Sequence, residues 1–313
     1  MTRQNGEVMR KLHIFATFLA LCEPVFASGA WAAPRTFVSL GGDDGAVCAN
    51  TAPCRSFSGA YAKTDAGGEI VVLDSAGYGP LVATKSITIS APSGVYAGVT
   101  VPSGGTGILV NGGGILVALK NVAISGGTAS YGVRVTNGSA RIENSSITGL
   151  AGTGISVESS GSLAVVDTVI ESNSGYGISS GSTGTVDLLR VRVTNNASQS
   201  ARSGIYISDG TAMISQCYIA GNVTAGNGAG LYATGSTVRI TLDRSIVTRN
   251  GVSGGFHGIY LDGGAHIFAT GNTISANGAG ITNAGSTFLS AGDNAVRENG
   301  SNTSGTITNV GRL

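Results

Sequence analysis

A glycine followed by an apolar residue, any residue and usually a second apolar residue recurs along this chain, and this repeat constrains the fold more than any other feature. The copies read Gly107-Ile-Leu-Val, Gly132-Val-Arg-Val, Gly154-Ile-Ser-Val, Gly177-Ile-Ser-Ser, Gly204-Ile-Tyr-Ile, Gly230-Leu-Tyr-Ala, Gly258-Ile-Tyr-Leu and Gly280-Ile-Thr-Asn, at intervals of 22 to 28 residues. A second block follows each glycine: apolar-x-apolar-x-polar-x-x-Ile/Val-x-x-Asn. Leu163, Val165, Asp167, Ile170 and Asn173 form one copy, and Val186, Leu188, Arg190, Val193 and Asn196 form the next. Later copies place Ile219 with Asn222, Val247 with Asn250, Ile274 with Asn277 and Val296 with Asn299. Earlier copies keep Ile124 and Ile147 but carry Gly127 and Leu150 in place of Asn.

Alternation with period two means strands with one buried face. Strands this short cannot bury that face alone, but stacked turns let each Ile or Val rest on its counterpart. Asn suits a tight bend, since it tolerates the left-handed region and bonds nearby backbone, and aligned amides can bond along a stack. The expected fold is therefore all-β: a right-handed parallel β-helix solenoid over residues 67–300, with about eight turns at roughly 4.8 Å each and further turns toward the N-terminus. Residues 33–66 read as an N-terminal loop and short helical cap, because Phe57, Ala60 and Tyr61 fall at helical spacing before Gly67-Gly68. Residues 301–313 read as a C-terminal tail.

Composition agrees. Gly supplies 51 of 313 residues, and only 11% are charged against about 25% in ordinary proteins. An apolar fraction of 42% excludes a disordered chain, and the lack of a strict Gly-x-y period excludes collagen.

Residues 1–32 read as a secretory signal peptide: Arg10 and Lys11, the apolar run from Leu12 to Leu21, then Ala30-Trp31-Ala32 as the cleavage site. Glu23 and Pro24 interrupt the stretch and make a transmembrane anchor the poorer reading. A secreted or periplasmic location follows, with no membrane insertion after cleavage. Removing this segment takes away Arg3, Arg10, Lys11, Glu7 and Glu23, and so brings 18 basic and 17 acidic residues into balance. That balance gives no drive toward nucleic acid. Cys48 and Cys54, six apart in an exported chain, read as a disulfide. Cys217 falls in a strand repeat and reads as a small buried residue.

Thr51-Ala-Pro-Cys-Arg-Ser-Phe, Ala66-Gly-Gly-Glu-Ile-Val-Val-Leu, Tyr78-Gly and Thr84-Lys-Ser-Ile-Thr-Ile resemble the entry to pectate-lyase-like right-handed β-helix proteins. The resemblance spans roughly residues 35–300. It implies the fold and leaves the activity open, since that superfamily includes lyases, hydrolases, esterases, adhesins and non-catalytic proteins. Phe256-His257-Gly258 is half of a polygalacturonase-like Gly-His-Gly element, without the carboxylate pairs that should flank it. A pectate-lyase-like enzyme would need several Asp residues around Ca²⁺ and a catalytic Arg. Arg190 and Arg244 share a column with Asn121, Asn144, Asp167, Gln216, Gly271 and Asp293, which is not an acidic cluster. No metal site or resident cofactor is expected, and Ca²⁺ enters only if the chain is a lyase.

One surface column stands out. The outward position of the first strand reads Leu109, Arg134, Ser156, Ser179, Tyr206, Tyr232, Tyr260 and Thr282. Three successive tyrosines offer flat rings for sugar faces, with His257, Asp262 and Asp209 as a polar rim. The leading expectation is a non-catalytic protein that binds a polysaccharide or cell-surface glycan, or serves as a surface or matrix scaffold. The alternatives are a polysaccharide lyase or hydrolase and an adhesive rod that binds a protein.

Overall fold

The computed structural model describes residues 33–196, 203–222, 228–251 and 256–311, so the signal-peptide reading of 1–32 lies outside the described residues. Each turn of chain passes through three strands. In one turn these are Thr153–Ser159, Ser162–Val166 and Val169–Glu171. Every strand pairs in parallel with its counterpart in the next turn, so Ile147 faces Ile170, then Val193, then Ile219. The third strands stack into a ten-stranded sheet. The first and second strands share one continuous sheet, because the long strands Thr106–Lys120 and Tyr131–Glu143 run through both rows. This is the all-β parallel solenoid that the period-two repeat predicts.

The core is a column of like on like. Leu163, Val165 and Ile170 of one turn are buried, as are Val186, Leu188 and Val193 of the next. The glycine that opens each repeat is a steric requirement. A Cβ at Gly204 would lie 2.8 Å from the Gly230 carbonyl oxygen and 2.7 Å from the Asn222 amide nitrogen. Real contacts do not come that close, so the first strand passes directly over the buried amides only where side chains are absent.

Those amides form a ladder. Asn196 donates to the Ile170 carbonyl at 2.9 Å and to Asn222 Oδ1 at 3.1 Å, while its own Oδ1 accepts from the backbone and side chain of Asn173. The same four bonds recur at Asn222, Asn250 and Asn277. The bend is made differently from the expectation. The left-handed residue is the one before each Asn: Ser172, Asn195, Arg249, Ala276 and Glu298 all have φ between 53° and 57°. The ladder Asn instead points inward, where every polar atom finds a partner.

The Arg190 column is likewise a corner rather than a strand position. Asn121, Asn144, Asp167, Arg190, Gln216 and Arg244 all have positive φ, and Gly271 joins them at 66°. The residue after each turns inward, and where it is not Val122 or Val191 it builds a second polar column. Val122 N–H donates to Ser145, Ser145 N–H to Thr168, Cys217 N–H to Ser245 and Ser245 N–H to Asn272. Cys217 occupies a Ser-like place there, its Sγ 3.3 Å from the Ser215 carbonyl oxygen. Burial pushes its thiol pKa up to about 11.

At the N-terminal end, Ala33–Val38 pairs in parallel with Thr64–Val72, ahead of the expected start at 67. At the other end, Ser301–Ser304 and Ile307–Asn309 continue the pairing past 300, into the segment read as a tail. Backbone pairing carries these polar strands without the apolar alternation that marks the rest. One short helix, Phe57–Lys63, has Ser56 as N-cap and buries Phe57 and Ala60. Asp44, from the Gly-rich loop, accepts from Ser56 Oγ at 2.7 Å and from the backbone of Arg55 and Ser56. Cys48 and Cys54 are joined as a disulfide beneath that loop.

Replacing Asn222 by Ala leaves groups on both neighbouring turns without partners. Urea unfolding of Asn222→Ala is expected to show a loss of about 2–4 kcal/mol, and Asn299→Ala at the ladder's open end less than half of that. Cys217 is expected to stay unreactive toward a thiol reagent at pH 8 until denaturant is added.

Candidate functional site

The strand register places the sequence-derived surface column in one line. Leu109, Arg134, Ser156, Ser179, Tyr206, Tyr232, Tyr260 and Thr282 pair successively across the turns. The three tyrosines are half-buried, and their ring centroids lie 5.3 and 5.0 Å apart. They do not form a flat platform. Successive rings cross at 71° and 76°, the edge-to-face arrangement that aromatic quadrupoles favour. Parallel stacking occurs one step earlier, between Tyr176 and Tyr206, at 5.1 Å and 23°.

Tyr176 is a member of the row that sequence reasoning missed. It stands directly before the repeat glycine Gly177, as Tyr131 stands before Gly132 and His257 before Gly258. His257 closes the other end, its ring 4.8 Å from Tyr260. The result is an unbroken aromatic run: Tyr176, Tyr206, Tyr232, Tyr260, His257. His257 Nδ1 shares a 2.9 Å hydrogen bond with Thr282 Oγ1. Burial holds the imidazole pKa below its ordinary value.

Asp262 lies beside this run. Its Oδ2 accepts from the Tyr232 hydroxyl at 3.0 Å. Desolvation, followed by the Asp262 carboxylate, pushes the Tyr232 phenol well above its ordinary range. Asp262 Oδ1 is buried and has no hydrogen-bond partner among the described residues. Asp209 is not brought to the same rim. Asp262 directly follows Leu261, which shares a column with Ile207, whereas Asp209 comes two residues after Ile207. Its carboxylate accepts from the Gly210 backbone at 2.8 Å instead.

Earlier in the column the face becomes ionic. Arg134 holds Glu158 through two bonds of 2.8 and 2.9 Å, and Ser156 donates to the same carboxylate. The Arg134 guanidinium also lies 5.0 Å from the Tyr131 ring centroid. The two corner arginines are committed elsewhere: Arg190 grips Asp167 at 2.6 and 2.7 Å, and Arg244 pairs with Asp243 at 2.9 Å. On the outward side of the second strands, a depression of about 440 Å³ is lined by Met213, Phe268 and Leu289 and includes none of the aromatic-run residues.

Stacked parallel turns with inward amide ladders and an exposed first-strand face define a parallel β-solenoid of the pectin-lyase-like type. The chain belongs to the family described as right handed beta helix region, whose model matches residues 72–212 and 106–257. No curated protein sequence matches it. Three solved structures are similar in fold. A pectate lyase, Pel9A, shares 17% identity at a TM-score of 0.61, covering 90% of this chain and 78% of that one. A rhamnogalacturonan lyase shares 13% at 0.56, covering 87% and 84%. An alginate lyase from Paenibacillus sp. str. FPU-7 shares 15% at 0.57, covering 88% and 100%.

Because burial lowers the His257 pKa, the unfolded chain begins to take up a proton near pH 6.5, before the folded chain does. Stability contributed at this position is therefore present above that pH and lost as pH falls. Urea midpoints at pH 7.5 and 5.0 are expected to show the advantage of the wild type over His257→Asn shrinking on acidification.

Proposed function

We propose that this chain is an exported polysaccharide-binding solenoid that holds glycan along the row from Tyr176 to His257 without cleaving it. The unbroken aromatic run carries the reading. Half-buried rings at centroid separations of 4.8 to 5.3 Å give apolar surface on a rigid face, which suits the C–H faces of pyranose rings. Asp262 Oδ1 adds a buried acceptor that a sugar hydroxyl would satisfy. The similarity in fold to three lyases named for polysaccharides supports the ligand class. Export rests on the plan of residues 1–32 and suits the Cys48–Cys54 disulfide. In the same reading the helix Phe57–Lys63 covers the open end of the first turn, where an unpaired sheet edge would be a liability.

A lyase or hydrolase is the second reading. It is favoured by the half-buried His257 and the nearby Tyr232–Asp262 pair, which are groups able to move protons.

The test is retention on a panel of immobilised neutral and acidic polysaccharides. Tyr206→Ala, Tyr232→Ala and Tyr260→Ala together are expected to weaken retention at least tenfold with little change in unfolding midpoint. Unchanged retention would remove the aromatic run from the binding site. New reducing or unsaturated ends from any polymer, with or without added Ca²⁺, would replace the binding reading with the enzymatic one.

A further inference from the structure

The third-strand sheet carries a feature unrelated to the tyrosine row. Arg192 and Arg249 lie two turns apart, and Tyr218 lies in the turn between them. The Arg192 guanidinium sits 4.8 Å from the Tyr218 ring centroid, and Arg249 Nη2 donates to the Tyr218 hydroxyl. Arg249 reaches there from the left-handed corner, φ 54°, that the residue before each ladder Asn shares.

Five other arginines meet acids: Arg35 with Glu69, Arg134 with Glu158, Arg141 with Glu143, Arg190 with Asp167 and Arg244 with Asp243. Arg55 and Arg239 instead donate to backbone carbonyls. Among the described residues, neither Arg192 nor Arg249 has a carboxylate within ion-pair reach. The undescribed internal stretches 197–202, 223–227 and 252–255 contain no Asp or Glu. Two exposed guanidiniums therefore converge on one phenol without an ion pair. They border a pocket of about 300 Å³.

The remaining walls define what fits. Glu171, Thr194 and Asn195 line the same pocket, and the Thr194 hydroxyl lies 3.3 Å from Glu171 Oε2. Two positive charges and one negative leave a net charge that matches a monoanion. A carboxylate in the wall repels a dianion such as phosphate but accepts hydrogen bonds from hydroxyls. Guanidinium forks are suited to planar or near-planar oxyanions.

We propose that this pocket binds a singly charged acidic sugar, with its oxyanion between Arg192 and Arg249 and its hydroxyls toward Glu171 and Thr194. The choice of a sugar over another monoanion rests on the polysaccharide reading above, whereas the site itself does not. The oxyanion has two sources, a uronic-acid carboxylate and a sulfate monoester, and the probes separate them.

The experiment is an NMR titration of the full chain with glucuronate, glucose 6-sulfate, glucose and inorganic phosphate at low salt, following the Tyr218 ring signals. At least one acidic sugar is expected to shift these signals saturably, glucose is not, and whichever sugar binds identifies the oxyanion. The Arg192→Gln/Arg249→Gln variant, altered only at exposed positions, is expected to bind at least tenfold more weakly. The triple tyrosine variant is expected to bind as the wild type does. No response to either acidic sugar, or equal binding by the double arginine variant, would overturn the site. Phosphate binding as tightly as the sugars would overturn the sugar assignment. Loss of binding in the tyrosine variant alone would move the acidic sugar to the aromatic run, whereas failure of that run in polysaccharide retention would leave the Tyr218 result standing.

Discussion

A buried amide with all its hydrogen bonds made is the constraint on which the rest of this structure depends. From Asn173 to Asn277, each side chain ties the carbonyl of the preceding turn to the amide of the next, so no turn is satisfied by itself. Such a network fixes register. A slip by one residue would strand both donors and the acceptor of each Asn in a low-dielectric interior. From Gly154 to Gly280 it also dictates the glycine that begins the repeat, since a Cβ there would lie 2.6 to 3.1 Å from the amide nitrogen. In those repeats the two most visible sequence signals, Gly and Asn, are two sides of one contact, whereas at Gly132 the Cβ would meet Ile147 and Leu150 instead.

Much of the fold was legible because the solenoid converts period-two alternation into columns. Once Gly204, Gly230 and Gly258 are aligned, Tyr206, Tyr232 and Tyr260 must share a column, and the strand register agrees. The corners were less legible. Asp167, Arg190, Gln216 and Arg244 share a left-handed conformation but no chemistry, because the stack imposes the backbone and leaves the side chain free. The second polar column was hidden for a related reason. Ser145, Thr168, Cys217, Ser245 and Asn272 each offer a donor or acceptor of different shape, so their common role leaves no consensus letter.

The candidate site divides in the same way. Membership of the column followed from spacing, but ring orientation did not, since edge-to-face contact is decided between neighbouring side chains. Asp209 and Asp262 look equivalent at three and two residues from a tyrosine. One position of register separates them, and that is enough to turn Asp209 onto its own backbone while Asp262 meets Tyr232. Tyr176 was overlooked because it belongs to the neighbouring column and reaches the row diagonally, through the next turn.

This architecture separates stability from recognition. Inward columns carry the core and the ladders, so an outward residue can change without disturbing the stack. Several outward charges are nevertheless paired across turns, as with Arg134 and Glu158 or Arg190 and Asp167. Paired surface ions contribute little to stability, but they neutralise a face that stacking would otherwise crowd with like charges. Against that background, an unpaired guanidinium or an unpartnered carboxylate oxygen is informative. Among the described residues, Arg192 and Arg249 on the third-strand sheet make no ion pair and Asp262 Oδ1 on the first-strand face has no hydrogen-bond partner, and these groups have opposite charge. If both proposed sites bind, two surfaces with opposite needs, held in fixed register on different sheets, would favour a ligand that carries both hydroxyl donors and oxyanions over one that carries only either.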